Sequence, residues 1–203
     1  MKTDKKVINK AVNSLKTYIE DKYDTTKVTI RDNMVRGHLR SLSTDIEDGV
    51  AAFLLDILPD NYTAYVDATV QVRKKHRKHR PDILIIDDKK NVKALVEVKT
   101  NMGWCRDASG EIEKILYKHN EMISKGNIIC EFSNDSSVEV YYSENVPVYL
   151  VAFTKQNCGD EKHENNRKIA ESKGIHYHLL FSGWYDGTLI PLEINKFAEE
   201  IIG

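Results

Sequence analysis

The chain has 203 residues, of which 41% are hydrophobic and 30% are charged, and its net charge is −1. The longest apolar runs, 50–55 and 148–153, have six residues each. A membrane-spanning helix needs about 20, so we expect no segment to cross a bilayer. Three separated cysteines without a CxxC pair favour reduced thiols in the cytoplasm over a disulfide framework. The charge is uneven: residues 1–100 carry +5 and residues 101–203 carry −6, so we look for a polyanion-binding surface in the first half.

Helices are predicted at the start of the chain. Apolar residues at helical spacing predict a first helix over about residues 4–20 and a second within 33–58, which Pro59 ends. Strands follow. Alternating apolar residues over 66–72 predict a half-buried strand, and residues 83–86 and 92–99 predict two more, joined by a polar turn. These three strands are predicted to form an antiparallel meander.

The second half of the chain alternates between strands and helices. A helix is predicted over about 109–125 with Gly126 just after its end, and a terminal helix is predicted from Pro191. A polar loop over 155–166 leads into a short helix that ends near Gly174. The later strands are predicted at 138–142, 148–153 and 175–181. The fold class is therefore α/β, with a mixed central sheet flanked by helices, in one domain over residues 1–203.

The polar side chains of the strand at 92–99 stand out because the rest of that strand is apolar. Glu97 and Lys99 share one face of the strand, and Val92, Ala94, Val96 and Val98 are expected to face a core on the other side. A turn centred between residues 89 and 90 places Asp82 directly opposite Glu97, with Cβ atoms about 4.5–5.5 Å apart. Loops of two or four residues keep this register, whereas a three-residue loop shifts it by one.

Two carboxylates this close repel each other, and a hard divalent cation removes the conflict. Mg²⁺ prefers oxygen ligands in near-octahedral geometry and keeps several waters. Asp82, Glu97 and the backbone carbonyl of Val98 would leave positions for water and for phosphate oxygens. Lys99 would stabilise the charge that develops when a metal-bound water attacks phosphorus. The pattern indicates metal-dependent hydrolysis of phosphodiester bonds.

Pro81-Asp82, followed after a fourteen-residue gap by Glu97-Val98-Lys99, resembles the motif of the PD-(D/E)xK nuclease superfamily. The resemblance implies a restriction-endonuclease-like core over about 33–153: a helix, a three-stranded meander that carries the motif, a helix and a further strand. It also implies Mg²⁺ as cofactor, with Mn²⁺ as a substitute. Asp82 and Glu97 would be metal ligands, and Lys99 would be the catalytic lysine.

Many members of this superfamily place a further glutamate on the helix before the meander. Glu47 is the best match, because it lies at the edge of the apolar stripe of the second predicted helix. It would then complete the metal site as a fourth catalytic residue. The alternative is local: Thr44-Asp45-Ile46-Glu47 fits a capping box, in which Glu47 only satisfies a helix N-terminus. The sequence leaves both interpretations open.

A basic run over residues 73–80 immediately precedes the motif. It contains two histidines and six cations, which we predict to contact the phosphates of a nucleic acid: Arg73, Lys74, Lys75, Arg77, Lys78 and Arg80. The alternative is a solvated loop of mutually repelling charges. After the motif, Trp104 and Arg106 are candidates for contact with a base, although Trp104 fits equally well as a residue that closes the core.

We therefore expect a Mg²⁺-dependent endodeoxyribonuclease that resembles a type II restriction endonuclease. Such an enzyme acts on double-stranded DNA as a homodimer, without a nucleotide cofactor and without a membrane partner. One alternative is a recombination or repair nuclease such as a junction resolvase. Another is a nucleic-acid-binding domain of the same fold that does not cleave. In a third, the spacing is coincidental, and Asp82 and Glu97 then lie on separate elements or face solvent.

Overall fold

The fold is taken from a computed structural model, which describes residues 4–27, 42–72, 78–102, 107–155, 158–183 and 190–202. Within these ranges the chain forms five helices: α1 (Lys5–Lys27), α2 (Ser43–Ile57), α3 (Ala108–Lys125), α4 (Asp160–Ser172) and α5 (Pro191–Ile202). The same ranges contain nine strands: β1 (Thr63–Val66), β2 (Thr69–Gln71), β3 (Lys78–His79), β4 (Ile83–Ile86), β5 (Val92–Asn101), β6 (Asn127–Glu131), β7 (Ser137–Tyr141), β8 (Val148–Thr154) and β9 (Ile175–Phe181). None of these helices is both long enough and apolar enough to span a membrane.

The predicted α/β class with a mixed sheet is confirmed. The main sheet has five strands in the order β1-β4-β5-β8-β9, and a second sheet has four in the order β3-β2-β6-β7. In the main sheet β1, β4 and β5 are antiparallel neighbours, whereas β5, β8 and β9 run parallel. Helices connect the parallel strands, as a parallel connection requires.

An uninterrupted meander is not confirmed, because the strand predicted over 66–72 is two strands in two sheets. The break lies at Asp67, whose φ of +50° turns the chain. Before it, Val66 pairs with Ile83 of the main sheet; after it, Val70 pairs with Cys130 of the second sheet. Apolar residues alternate on both sides of the break, so the sequence reads as one strand. After β1 the chain forms β2 and β3 in the second sheet and then returns to the main sheet as β4.

The main sheet is buried on both faces. On one face, Ile83 and Ile85 of β4 belong to a core formed with α1, α2 and α5. On the other, Leu84 and Ile86 belong to a core formed with α3 and the second sheet. All four β4 side chains are buried, as expected for a strand between two layers.

The β4–β5 hairpin reaches the predicted register by an unexpected route. Ile86 pairs with Val92, which leaves five residues in the turn, and an odd number shifts the pairing by one. A β-bulge at Lys93 compensates for the shift, so that Ile85 pairs with Ala94 and Ile83 with Val96. The bulge also corrects one expectation. Val92 lies in the core shared with α3, whereas Ala94, Val96 and Val98 lie in the core shared with α2.

Two local differences concern polar segments. Residues predicted as a loop up to 166 are helical from Asp160, whose carboxylate lies in the first helical turn, where the helix dipole favours negative charge. The strand β6 was not predicted, and the short β3 covers the end of the basic run. At α3, by contrast, the predicted end is confirmed: Gly126 has φ of +72°, and its amide donates to the carbonyls of Met122 and Ile123.

Candidate active site

Asp82 lies immediately before β4 and is tied across the hairpin to β5. Its Oδ2 accepts a hydrogen bond of 2.7 Å from the backbone N–H of Val98. The register that pairs Ile83 with Val96 places Asp82 opposite Glu97 when it is continued by one residue. Asp82 and Glu97 therefore lie on the two sides of one hairpin. A coincidental motif would instead have placed them on separate elements.

The same contact fixes the direction of the Val98 backbone. The N–H and C=O of one residue point to the same side of a strand, so the Val98 carbonyl also faces the β4 side. No residue of β4 lies opposite Val98, because β4 begins at Ile83, which pairs with Val96. The predicted carbonyl ligand therefore points toward the carboxylate of Asp82 and away from the ladder with β8.

Glu97 is buried, with only 1% of its surface exposed. Burial raises the pKa of its carboxyl, the charge of Asp82 raises it further, and the ammonium groups of Lys118 and Lys99 oppose the rise. Its Oε1 accepts a hydrogen bond of 2.6 Å from Nζ of Lys118. Lys99 lies two residues after Glu97 on the same face of β5 and is half-buried. A buried carboxylate with two lysines nearby is a costly arrangement for a purely structural site.

Lys118 is the residue of this site that sequence reasoning missed. It lies on α3 between Ile115 and Met122, which are both buried, and its side chain is 19% exposed. Besides Glu97, its Nζ contacts the carbonyl oxygen of Arg80 at 3.5 Å. The sequence contained a signal for this placement. Lys118 follows the core position Ile115 by three residues and precedes the core position Met122 by four, so it lies on the buried face of the helix.

Glu47 lies on α2 and is half-buried. Burial and the charges of Asp82, Asp67 and Asp48 raise its pKa to about 7, and Lys99 opposes this rise. The capping-box interpretation is wrong: α2 begins at Ser43, Leu42 is the N-cap residue, and no side chain caps the helix there. Glu47 is thus the fifth helical residue, within electrostatic reach of Asp82 and Lys99.

The donor set at Asp82 and Glu97 fits a hard divalent cation. It consists of the carboxylates of Asp82 and Glu97 and the Val98 carbonyl, which lies on the same side of β5 as the amide that donates to Asp82. Glu97 is buried, and its pKa is raised first by that burial and then by the charge of Asp82. Among the residues that the structure describes, no group of three or more His, Cys, Asp or Glu side chains is close enough to hold a metal ion. The described site is therefore a pair of carboxylates, and Glu47 is a neighbour to that pair.

Only part of the predicted nucleic-acid surface can be placed. Arg73, Lys74, Lys75 and Arg77 lie outside the described residues, as do Trp104 and Arg106. Lys78 pairs with Glu131 at 2.9 Å, and Arg80 pairs with Asp67. Both cations line an open groove of about 550 Å³ beside α3. The other residues that line it are His79, Gly110, Glu113, Lys114, Tyr117 and Lys118.

Comparison with known proteins adds no assignment. The chain matches no protein-family model, no curated protein and no solved structure.

Proposed function

We propose that this protein is a divalent-metal-dependent nuclease that hydrolyses phosphodiester bonds of DNA and has a restriction-endonuclease-like fold. One observation carries the proposal: the carboxylate of Asp82 is held 2.7 Å from the amide of Val98, in a register that sets it beside the buried Glu97. Lys99 follows on the same face. Carboxylate, carboxylate and lysine then have the order and spacing of the motif that the chain resembles, on the two strands of one hairpin.

Each residue has a defined task in this proposal. Asp82, Glu97 and the Val98 carbonyl hold Mg²⁺, with Mn²⁺ as a substitute. When bound, the ion supplies Lewis acidity and a water of lowered pKa. Lys99 stabilises negative charge on the non-bridging oxygens of the phosphate. Glu47 lies beside this pair of carboxylates, and its pKa of about 7 allows it to exchange a proton near neutral pH.

The order of elements supports the fold assignment. The helix α2 precedes three antiparallel neighbours of the main sheet, and α3 then leads to β8, which pairs with β5 in parallel. This is the order expected for the superfamily core, with β2 and β3 inserted between the first two strands and β6 and β7 after α3. The groove beside α3 supports a polyanionic substrate, because Lys78, Arg80, Lys114 and Lys118 all line it.

Cleavage assays test the proposal directly. Plasmid, linear duplex and a four-way junction are each incubated with the protein and either Mg²⁺ or EDTA. The variants are Asp82→Asn, Glu97→Gln and Lys99→Met, with Lys89→Met as the matched control. Lys89 is an exposed lysine in the turn of the same hairpin. We expect Mg²⁺-dependent cleavage that the three site variants lose and the control keeps.

The pattern of products separates the candidate enzymes. Discrete fragments of linear duplex support a restriction endonuclease, for which the homodimer stays a prediction that light scattering with and without duplex would check. Selective nicking of the junction supports a resolvase. Binding without cleavage by the wild-type protein would overturn the enzyme proposal and favour a binding domain. Cleavage that survives Glu97→Gln would show that the active site lies elsewhere.

A further inference from the structure

We propose that Lys118 is an internal counter-cation of the candidate site. In the metal-free protein its ammonium occupies the position beside Glu97 that a divalent cation takes, and binding of the cation displaces it into the groove beside α3. This inference rests on the proposed metal site at Asp82 and Glu97. It adds that metal binding to this chain is an exchange of one cation for another.

The first support is the contact itself. Nζ of Lys118 lies 2.6 Å from Oε1 of Glu97, and Glu97 is 1% exposed, so little room remains for a second cation at that oxygen. A buried carboxylate needs a partner of opposite charge. A lysine ammonium is a compact charge on a flexible four-carbon stem, so it can serve as that partner and also withdraw.

The second support is where the ammonium lies. Besides Glu97, it contacts the carbonyl oxygen of Arg80, at 3.5 Å. Arg80 comes two residues before Asp82 on the segment that leads into β4. The ammonium is therefore on the Asp82 side of Glu97, which is the side on which an ion shared by the two carboxylates has to bind.

The third support is the destination. Lys118 also lines the groove of about 550 Å³ beside α3, together with Lys78, Arg80 and Lys114. Its side chain is 19% exposed, so part of it already reaches the surface of this groove. Release of the ammonium into the groove adds positive charge where we propose that the phosphate chain binds. Metal binding and polyanion binding would then favour each other.

Thermal unfolding with MgCl₂ as the only probe tests this without any assay of activity. Tm is followed at pH 8.0 and constant ionic strength for the wild type, Lys118→Met and Lys118→Gln. The control is Lys114→Met, one turn away on α3, where the lysine is 72% exposed and pairs with Glu111. We expect Lys118→Met to have a lower Tm than the wild type without Mg²⁺. Its half-maximal Mg²⁺ response is expected at an approximately tenfold lower concentration.

The control, double and conservative variants decide how the Mg²⁺ response of Lys118→Met is interpreted. Lys114→Met should respond to Mg²⁺ as the wild type does, and adding Asp82→Asn to Lys118→Met should abolish the response. If Lys118→Met does not fold without Mg²⁺, recovery of the folded state on adding Mg²⁺ supports the inference, and failure to recover overturns it. Lys118→Gln keeps a hydrogen-bond donor to Glu97 without the charge and should respond as Lys118→Met does.

Two results would contradict the inference in different ways. Equal Mg²⁺ responses of the wild type and both Lys118 variants would make Lys118 a purely structural partner of Glu97 and leave the proposed metal site intact. Absence of any Mg²⁺ response in the wild type and in every variant would overturn the metal site, and the displacement of Lys118 with it.

Discussion

Replacing Glu47 by glutamine should stabilise the protein at alkaline pH while it impairs the proposed activity. The fold disfavours the charged form of this carboxylate, because burial and the nearby charges of Asp82, Asp67 and Asp48 raise its pKa from 4.5 to about 7. The folded protein therefore keeps a proton at Glu47 at pH values where the unfolded chain has released it. Stability then falls as pH rises between about 4.5 and 7. Glutamine removes this dependence.

The size of the effect follows from the shift. At 1.36 kcal/mol per pH unit, a rise from 4.5 to about 7 corresponds to roughly 3 kcal/mol. Glu47 is only half-buried, and solvent screening reduces this to about 1–2 kcal/mol. For a chain of this length, each kcal/mol changes Tm by about 2–4 °C. We therefore expect Glu47→Gln to raise Tm by about 4 °C at pH 8, with little difference at pH 4.5.

Urea and thermal denaturation at these two pH values measure the effect in EDTA. Asp56→Asn is the matched control, because Asp56 is an exposed residue of the same helix and is not among the charges that raise the pKa of Glu47. It removes the same charge and should change stability much less. A glutamate that capped α2 would behave in the opposite way, and its loss would lower stability. If Glu47→Gln is less stable than the wild type at pH 8, or equally more stable at both pH values, the electrostatic reasoning is wrong.

Three further predictions concern the same region. Lys99→Met should lower the rate of Mg²⁺-dependent cleavage by about 100-fold or more and leave Tm within a degree or two, as single-turnover kinetics and calorimetry would show. Gly49→Ala should lower stability by about 1 kcal/mol in urea. A Cβ there meets side-chain carbons of Tyr18 at 3.1 Å and of Ile19 and Leu15 at 3.2 Å, and moving all three costs about 1–3 kcal/mol, against a gain of about 1 kcal/mol in helix propensity. An unchanged midpoint would show that α1 adjusts freely. Asp87→Ala should cost about 2 kcal/mol at pH 7, because the Asp87 carboxylate accepts hydrogen bonds from the backbone of Lys89 and from both the backbone and the side chain of Asn91. Burial raises the pKa of Asp87, but the hydrogen bonds from Asn91 and the ammonium of Lys93 outweigh it and lower the pKa. The difference from the wild type should therefore shrink as pH falls below about 4, and a difference independent of pH would contradict this explanation.

Much of the fold could be predicted because the spacing of apolar residues and the positions of proline, glycine and polar turns indicate the same element boundaries. The last helix starts at Pro191 as predicted, and the strand β9 has the predicted limits. The end of α3 at Gly126 follows from the tolerance of glycine for positive φ. Asp67 shows why the meander could not be predicted. Its backbone turns within a run of unbroken alternation, and only pairing with distant residues such as Cys130 shows that β2 belongs to another sheet.

The residues of the candidate site also fall into those that could be predicted from sequence and those that could not. Asp82, Glu97 and Lys99 were accessible from sequence, since they lie in one hairpin whose geometry is local. Lys118 approaches from a helix that follows the hairpin, so its contact with Glu97 depends on how α3 packs on the sheet. The choice between the two roles of Glu47 depended on whether α2 starts at Ser43 or two residues later, after a Thr44 cap, and boundaries of this kind are seldom fixed by sequence.

The bulge at Lys93 determines which face of β5 carries the candidate site. An odd-length turn and a bulge each shift the pairing by one residue, and together they bring Asp82 opposite Glu97. If the bulge straightened while Ile86 stayed paired with Val92, Ile85 would pair with Lys93, and Glu97 would turn toward the apolar core beside α2. The extra residue at Lys93 therefore decides which face of β5 carries Glu97, whereas the loss of a residue from the turn would shorten the turn and leave these pairs as they are.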